Sequence, residues 1–151
     1  MAQFQTTFLF LVICLIVPLI QAKEAKYCDR KANYAVKITG IDIIPDPVVS
    51  GKPATFKISA STAEALAGGT VVLDVSYFGV HVHSETHDLC EETSCPISTG
   101  DFVLSHTQTL PGFTPPGSYS LKMRLEDAGG SQLTCISFNF NIGFGSLVFD
   151  N

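Results

Sequence analysis

Apolar and polar residues alternate one for one along most of this chain, the two-residue period of half-buried β-strands. From Tyr119 it reads YSLKMRLE, with Tyr119, Leu121, Met123 and Leu125 on one face and Ser120, Lys122, Arg124 and Glu126 on the other. Ile136, Phe138, Phe140 and Ile142 alternate with Ser137, Asn139 and Asn141 in the same way, and the Ala-Gly-Gly-Ser of 128–131 supplies a hairpin turn, so these two strands pair. Thr70 to Phe78 places Val71, Leu73, Val75 and Tyr77 together, Asp101 to Leu110 carries Phe102 and Leu104, and Phe56 and Ile58 alternate with Lys57 and Ser59. Val36 and Ile38, then Ile41 and Ile43, change phase around Gly40, where a bulge is expected. Pro45-Asp46-Pro47 and Pro115-Pro116-Gly117 mark turns. A helix is compatible only with Thr62–Ala67, one or two turns ending at Gly68-Gly69. Short strands at regular spacing without a helical period predict an all-β, two-sheet sandwich.

The first 22 residues stand outside this pattern. Phe8 to Ile20 is an apolar run too short to span a bilayer, broken by Pro18 and followed by Gln21 and Ala22, as in a signal peptide cleaved after Ala22. Removing residues 1–22 from 151 leaves 129, residues 23–151, the size of one domain. The net charge of −5 lies wholly in that part, with no basic stripe, which argues against nucleic acid as a partner.

Cys14 leaves with the leader, and the remaining Cys28, Cys90, Cys95 and Cys135 form an even set behind an export signal. That reads as two disulfides in an oxidising compartment. Four half-cystines allow three pairings. A local bridge would close the polar Glu-Glu-Thr-Ser between Cys90 and Cys95, leaving Cys28 to join Cys135.

The placement of Cys28 ahead of a strand, the segment SYFGVHVHSETHDLCEETSCPI, the turn and strand LPGFTPPGSYSLKMRL and the closing TCISFNFNI together resemble the ML family of lipid-recognition domains. That family includes the Niemann–Pick type C2 sterol carrier, MD-2, group 2 mite allergens, and plant proteins known as phosphatidylglycerol/phosphatidylinositol transfer proteins. The resemblance spans nearly all of residues 23–151. It implies an immunoglobulin-like sandwich whose sheets splay around an internal apolar cavity that holds a phospholipid or sterol.

The large apolar residues on the strand faces admit two readings: a solid core, since interiors are normally close-packed, or the wall of that cavity. The resemblance favours the wall, and the expected lipid-binding residues are Ile38, Phe56, Ile58, Leu73, Val75, Tyr77, Phe102, Leu104, Tyr119, Leu121, Met123, Phe138 and Phe140. Burial of an acyl chain gains about 0.8 kcal/mol per methylene, so tight binding requires no charged group.

His81, His83, Glu85 and His87 alternate along one strand, and imidazoles so arranged can ligate a transition metal. A metal-dependent cupin would use such a pair, but it places its glutamate further on and adds a histidine after a Pro-x-Gly turn; here Ser118, Tyr119 and Ser120 follow Pro115-Pro116-Gly117. The four residues are therefore expected to form a solvated edge-strand face, with no metal and no cofactor. Asp88, Glu91, Glu92 and Asp127 read as solubilising loop charges, and no nucleophile motif is present. The expectation is a non-enzymatic lipid-binding or transfer protein of the secretory pathway, extracellular, apoplastic or vacuolar. It would be a monomer that touches membrane surfaces transiently and meets a membrane receptor or transporter. The alternatives are a module that presents lipid or recognises protein in immunity or growth signalling, and a cupin-like metal enzyme.

Overall fold

The structure, a computed structural model, describes residues 24–143; the expected leader lies outside them. Nine strands follow in chain order: β1 (Lys26–Tyr27), β2 (Val36–Ile44), β3 (Val48–Val49), β4 (Pro53–Thr62), β5 (Gly69–Tyr77), β6 (Val80–Asp88), β7 (Gly100–Thr109), β8 (Gly117–Asp127) and β9 (Gln132–Gly143). A short helix, α1 (Leu89–Glu92), lies between β6 and β7. One sheet runs β1-β9-β8-β5-β6, with β3 added in parallel to β9, and the second runs β2-β4-β7. The result is the two-sheet sandwich that the alternating pattern predicts.

The register follows from which side chains must be buried, because a one-residue slip would send every apolar group to the wrong face. Leu121 lies opposite Phe138 and Met123 opposite Ile136 across β8 and β9, while β5 sets Leu73 against Met123 and Val75 against Leu121. Leu125, Ile136, Val36 and Met123 are fully buried, each worth about 1.5–3 kcal/mol of transfer free energy. The phase change in β2 is a bulge between Ile38 and Gly40, where the sequence placed it.

Both disulfides form as Cys28–Cys135 and Cys90–Cys95. The first ties the segment after β1 to β9, where the Cys28 amide also donates to the Cys135 carbonyl at 2.9 Å. The second runs from Cys90 within α1 to Cys95 and closes the turn between them.

The expected helix at Thr62–Ala67 is absent. Thr62 ends β4 and its hydroxyl donates to the Glu64 carbonyl, while buried Leu66 exchanges two backbone bonds with Ile97 in an isolated bridge. The helical turn falls instead at Leu89–Glu92, where the Asp88 side chain caps the Cys90 amide at 2.8 Å and Leu89 is fully buried. Asp88 is thus a cap, not a solubilising charge. Asp127 likewise accepts from the Gly129 and Ser131 amides and shapes the β8–β9 turn.

Candidate functional site

Between the two sheets lies a cavity of about 570 Å³. Close-packed interiors leave few voids larger than a water molecule, so an opening of this size is a built feature and not a packing defect. Val71, Leu73, Val75 and Tyr77 of β5, Tyr119, Leu121 and Met123 of β8, and Phe138, Phe140 and Ile142 of β9 form one wall. Phe56 and Ile58 of β4 and Leu104 of β7 form the other, and the loop from Leu110 to Pro115 borders the space. The aromatic rings are fixed against one another: Phe56 meets Phe140 edge-on at 5.4 Å between centroids, and Tyr119 stacks on Phe140 at 5.5 Å.

Eleven of the thirteen residues expected at the cavity face it; Ile38 and Phe102 do not. Both lie opposite Ala60 in the smaller sheet, on the strand face expected but displaced along the strands from the cavity. Ile38 borders a separate depression beside Tyr27, whose hydroxyl accepts from the Ile38 amide at 2.9 Å. Val82, Leu110 and Phe113, along with several polar groups at the rim, were not anticipated as lining residues.

Most of those polar groups come from the two free edges that face each other across the sandwich, β6 and β7, and Glu92 comes from α1. The expectation that His81 and His83 share a face is corrected by a bulge: His81 pairs with Ser76, whereas His83 pairs with Val75. The extra residue, Val82, sends the two imidazoles to opposite faces. His81 turns outward, 3.4 Å from Asp74, and also bonds Ser84. His83 and Glu85 turn toward the cavity. The paired chelate that a cupin requires is therefore broken.

Glu85 and His87 meet partners that lie far from them along the chain. His106 Nδ1 lies 2.9 Å from Glu92 Oε1, and Gln108 donates to Glu85 Oε1 at 2.9 Å. His83 lies 3.0 Å from Glu85 Oε1, His87 3.1 Å from Glu85 Oε2, and the His87 and His106 rings approach to 4.7 Å. Glu92, read from sequence as a loop charge, is only 10% exposed in this network. Burial works to raise the Glu85 carboxyl, but bonds from His83, His87 and Gln108 outweigh it and hold the group below its ordinary range. Burial works to lower His106, yet its bonds to Gln108 and Glu92 and the charges of Glu92 and Glu85 leave it raised.

The ML domain matches residues 22–142. The chain belongs to the ML domain family. A Dictyostelium discoideum protein that carries the name of a phosphatidylglycerol/phosphatidylinositol transfer protein is 30% identical over 138 residues, 89% of this chain and 95% of its own length. An Aspergillus oryzae phosphatidylglycerol/phosphatidylinositol transfer protein is 30% identical over 117 residues, covering 74% of this chain and 67% of its own. Among solved structures, a Niemann–Pick type C2 protein from Japanese carpenter ant shares the fold with a TM-score of 0.62 at 14% identity, over 78% of this chain and 99% of that one. Chicken MD-1, solved in complex with lipid IVa, has a TM-score of 0.52 at 19% identity, over 78% of this chain and 87% of its own.

Proposed function

We propose that this ML protein is a non-enzymatic carrier that binds one phospholipid or sterol between its sheets and exchanges it at membrane surfaces. The observation that carries this reading is the cavity of about 570 Å³ walled by aliphatic and aromatic side chains from both sheets. A preformed apolar space of this size suits a lipid-like ligand, since burial of hydrocarbon supplies the affinity. The names of its relatives point to the same ligand class.

The border of the cavity supports membrane contact. Phe113, in the bordering loop, is 87% exposed, and Phe78, at the β5–β6 turn, is 77% exposed with its ring 4.4 Å from that of Tyr77. Exposed Val80 and Val82 lie beside Phe78 in sequence. Phe113 and Val82 line the cavity and Phe78 packs on Tyr77, which also lines it, so exposed apolar side chains border the space, and such a surface suits contact with membrane or partner. The leader of residues 1–22 and the two disulfides fit delivery through an oxidising secretory route.

Transfer of fluorescent phosphatidylinositol and of a fluorescent sterol between vesicles tests this directly. The delipidated protein should take up one lipid per chain and accelerate transfer. Phe78→Asn, which suits the left-handed backbone at that turn (φ 50°), should slow transfer several-fold while leaving equilibrium binding intact. Absence of uptake of either lipid would overturn the carrier reading.

A further inference from the structure

The β6–β7 edge carries, at the rim of the cavity, a constellation that the burial of hydrocarbon does not require. Three potential ligand atoms, one each from Glu85, His87 and His106, lie within 4.8 Å of one another. Glu85 Oε2 is 3.1 Å from His87 Nε2 and 3.7 Å from His106 Nε2. Two ligands bound tetrahedrally to zinc at about 2.0–2.1 Å lie roughly 3.3–3.4 Å apart, a value between those two separations. Two nitrogens and one carboxylate oxygen are a donor set suited to zinc, with a fourth position left for water.

The surrounding groups orient these atoms as outer partners of a metal site do. Glu92 Oε1 takes the Nδ1 side of His106 at 2.9 Å, which fixes the tautomer with Nε2 turned inward. Gln108 and His83 hold Glu85 Oε1 at 2.9 and 3.0 Å, leaving Oε2 for the two imidazoles.

The hydrogen-bond inventory also demands a cation. With its Nδ1 proton given to Glu92, neutral His106 turns an Nε2 lone pair toward the Gln108 carbonyl oxygen 3.0 Å away, so two acceptors face each other. Flipping the amide moves the conflict, because its oxygen would then face Glu85 Oε1 in place of the donor now 2.9 Å away. A positive centre at His106 Nε2, either a proton or a metal ion, removes the conflict in the orientation that keeps the Gln108 bond to Glu85.

We infer that Glu85, His87 and His106 form a zinc-class metal site that joins the free edges of the two sheets at the cavity rim. The ion displaces the His106–Gln108 contact, and His87 and His106 close on it by ring rotation, while Glu92 and Gln108 keep their orienting bonds. An ion here ties β6 of one sheet to β7 of the other, edges that no strand pairing connects.

The test uses purified, tag-free, disulfide-intact protein titrated with Zn²⁺ alone and, for its spectrum, with Co²⁺. One Zn²⁺ per chain and intense four-coordinate Co²⁺ absorption are expected. Affinity should fall at least about ten-fold in His87→Gln and His106→Gln, and stay unchanged in His81→Gln, which alters the opposite face. Where a histidine variant fails to fold, Glu85→Gln, matched in shape, reads the same loss. Absence of one-to-one binding, survival of binding in the folded ligand variants, or its loss in His81→Gln would overturn the assignment and leave a proton as the occupant.

Discussion

Tyr77 and Tyr119 stack at 4.5 Å between ring centroids, with planes 24° apart, and their hydroxyls donate to successive carbonyls of one turn, Pro116 at 2.9 Å and Pro115 at 2.7 Å. Two cavity-wall side chains thus hold the Pro115-Pro116-Gly117 turn that leads into β8. Gly117 adopts φ +134°, and a Cβ there would come within 3.2 Å of the Tyr77 ring, so the turn requires glycine.

Removing one of these hydroxyls should loosen the turn without emptying the wall. Burial, with Tyr77 adding to it, raises the Tyr119 phenol above its ordinary range, so it remains a donor at neutral pH. Tyr119→Phe is expected to lose about 1 kcal/mol in urea unfolding and to speed amide exchange at Gly117. Unchanged stability and exchange would show that the turn holds itself.

The two disulfides should differ in weight. Cys28–Cys135 closes a sequence separation of 107 residues and Cys90–Cys95 one of 5. Chain entropy assigns about 4–5 kcal/mol to the first and about 2 kcal/mol to the second. Paired serine replacements, Cys28→Ser with Cys135→Ser against Cys90→Ser with Cys95→Ser, should give losses in that order by denaturant unfolding; equal losses would contradict it.

On the outer face of β5, Asp74 is held below its ordinary pKa chiefly by the Ser84 hydroxyl, against some burial, with His81 adding a bond and charge. A carboxyl whose folded pKa lies below its unfolded value, near 3.8, contributes stability that is present above that value and lost as pH falls through the folded one. Ser84→Ala should therefore be about 0.5–1 kcal/mol less stable than the parent at pH 6, with the gap narrowing below about pH 4. A gap of constant size from pH 6 to pH 3 would separate Ser84 from the ionisation of Asp74.

Alternation made most of the sandwich legible in advance, because the period of β8 and β9 names their buried faces and Gly40 announces its bulge. Period alone does not say how far along a strand a cavity extends, so it groups Ile38 and Phe102 with the wall although they lie beyond it. The bulge at Val82 carried no glycine to mark it, and it moved His81 off the face of His83. Glu92 and His106 are 14 residues apart and meet only because α1 and β7 pack together. The Leu89–Glu92 helix is hidden in the sequence because its cap, Asp88, sits inside a run that reads as charged strand and loop.

Replacement of Val75 by tryptophan tests the hollow sandwich most directly. Val75 faces the cavity from β5, between Leu121 of β8 and His83 of β6. In a solid core the added ring would overpack and cost about 1–3 kcal/mol, whereas in an open cavity it occupies the space that the ligand needs. Native mass spectrometry of the purified parent should show one lipid per chain, and delipidated Val75→Trp should melt within a few degrees of the delipidated parent yet retain no lipid. A strongly destabilised variant, or a stable one that still carries its lipid, would contradict the assignment of this cavity as the lipid site.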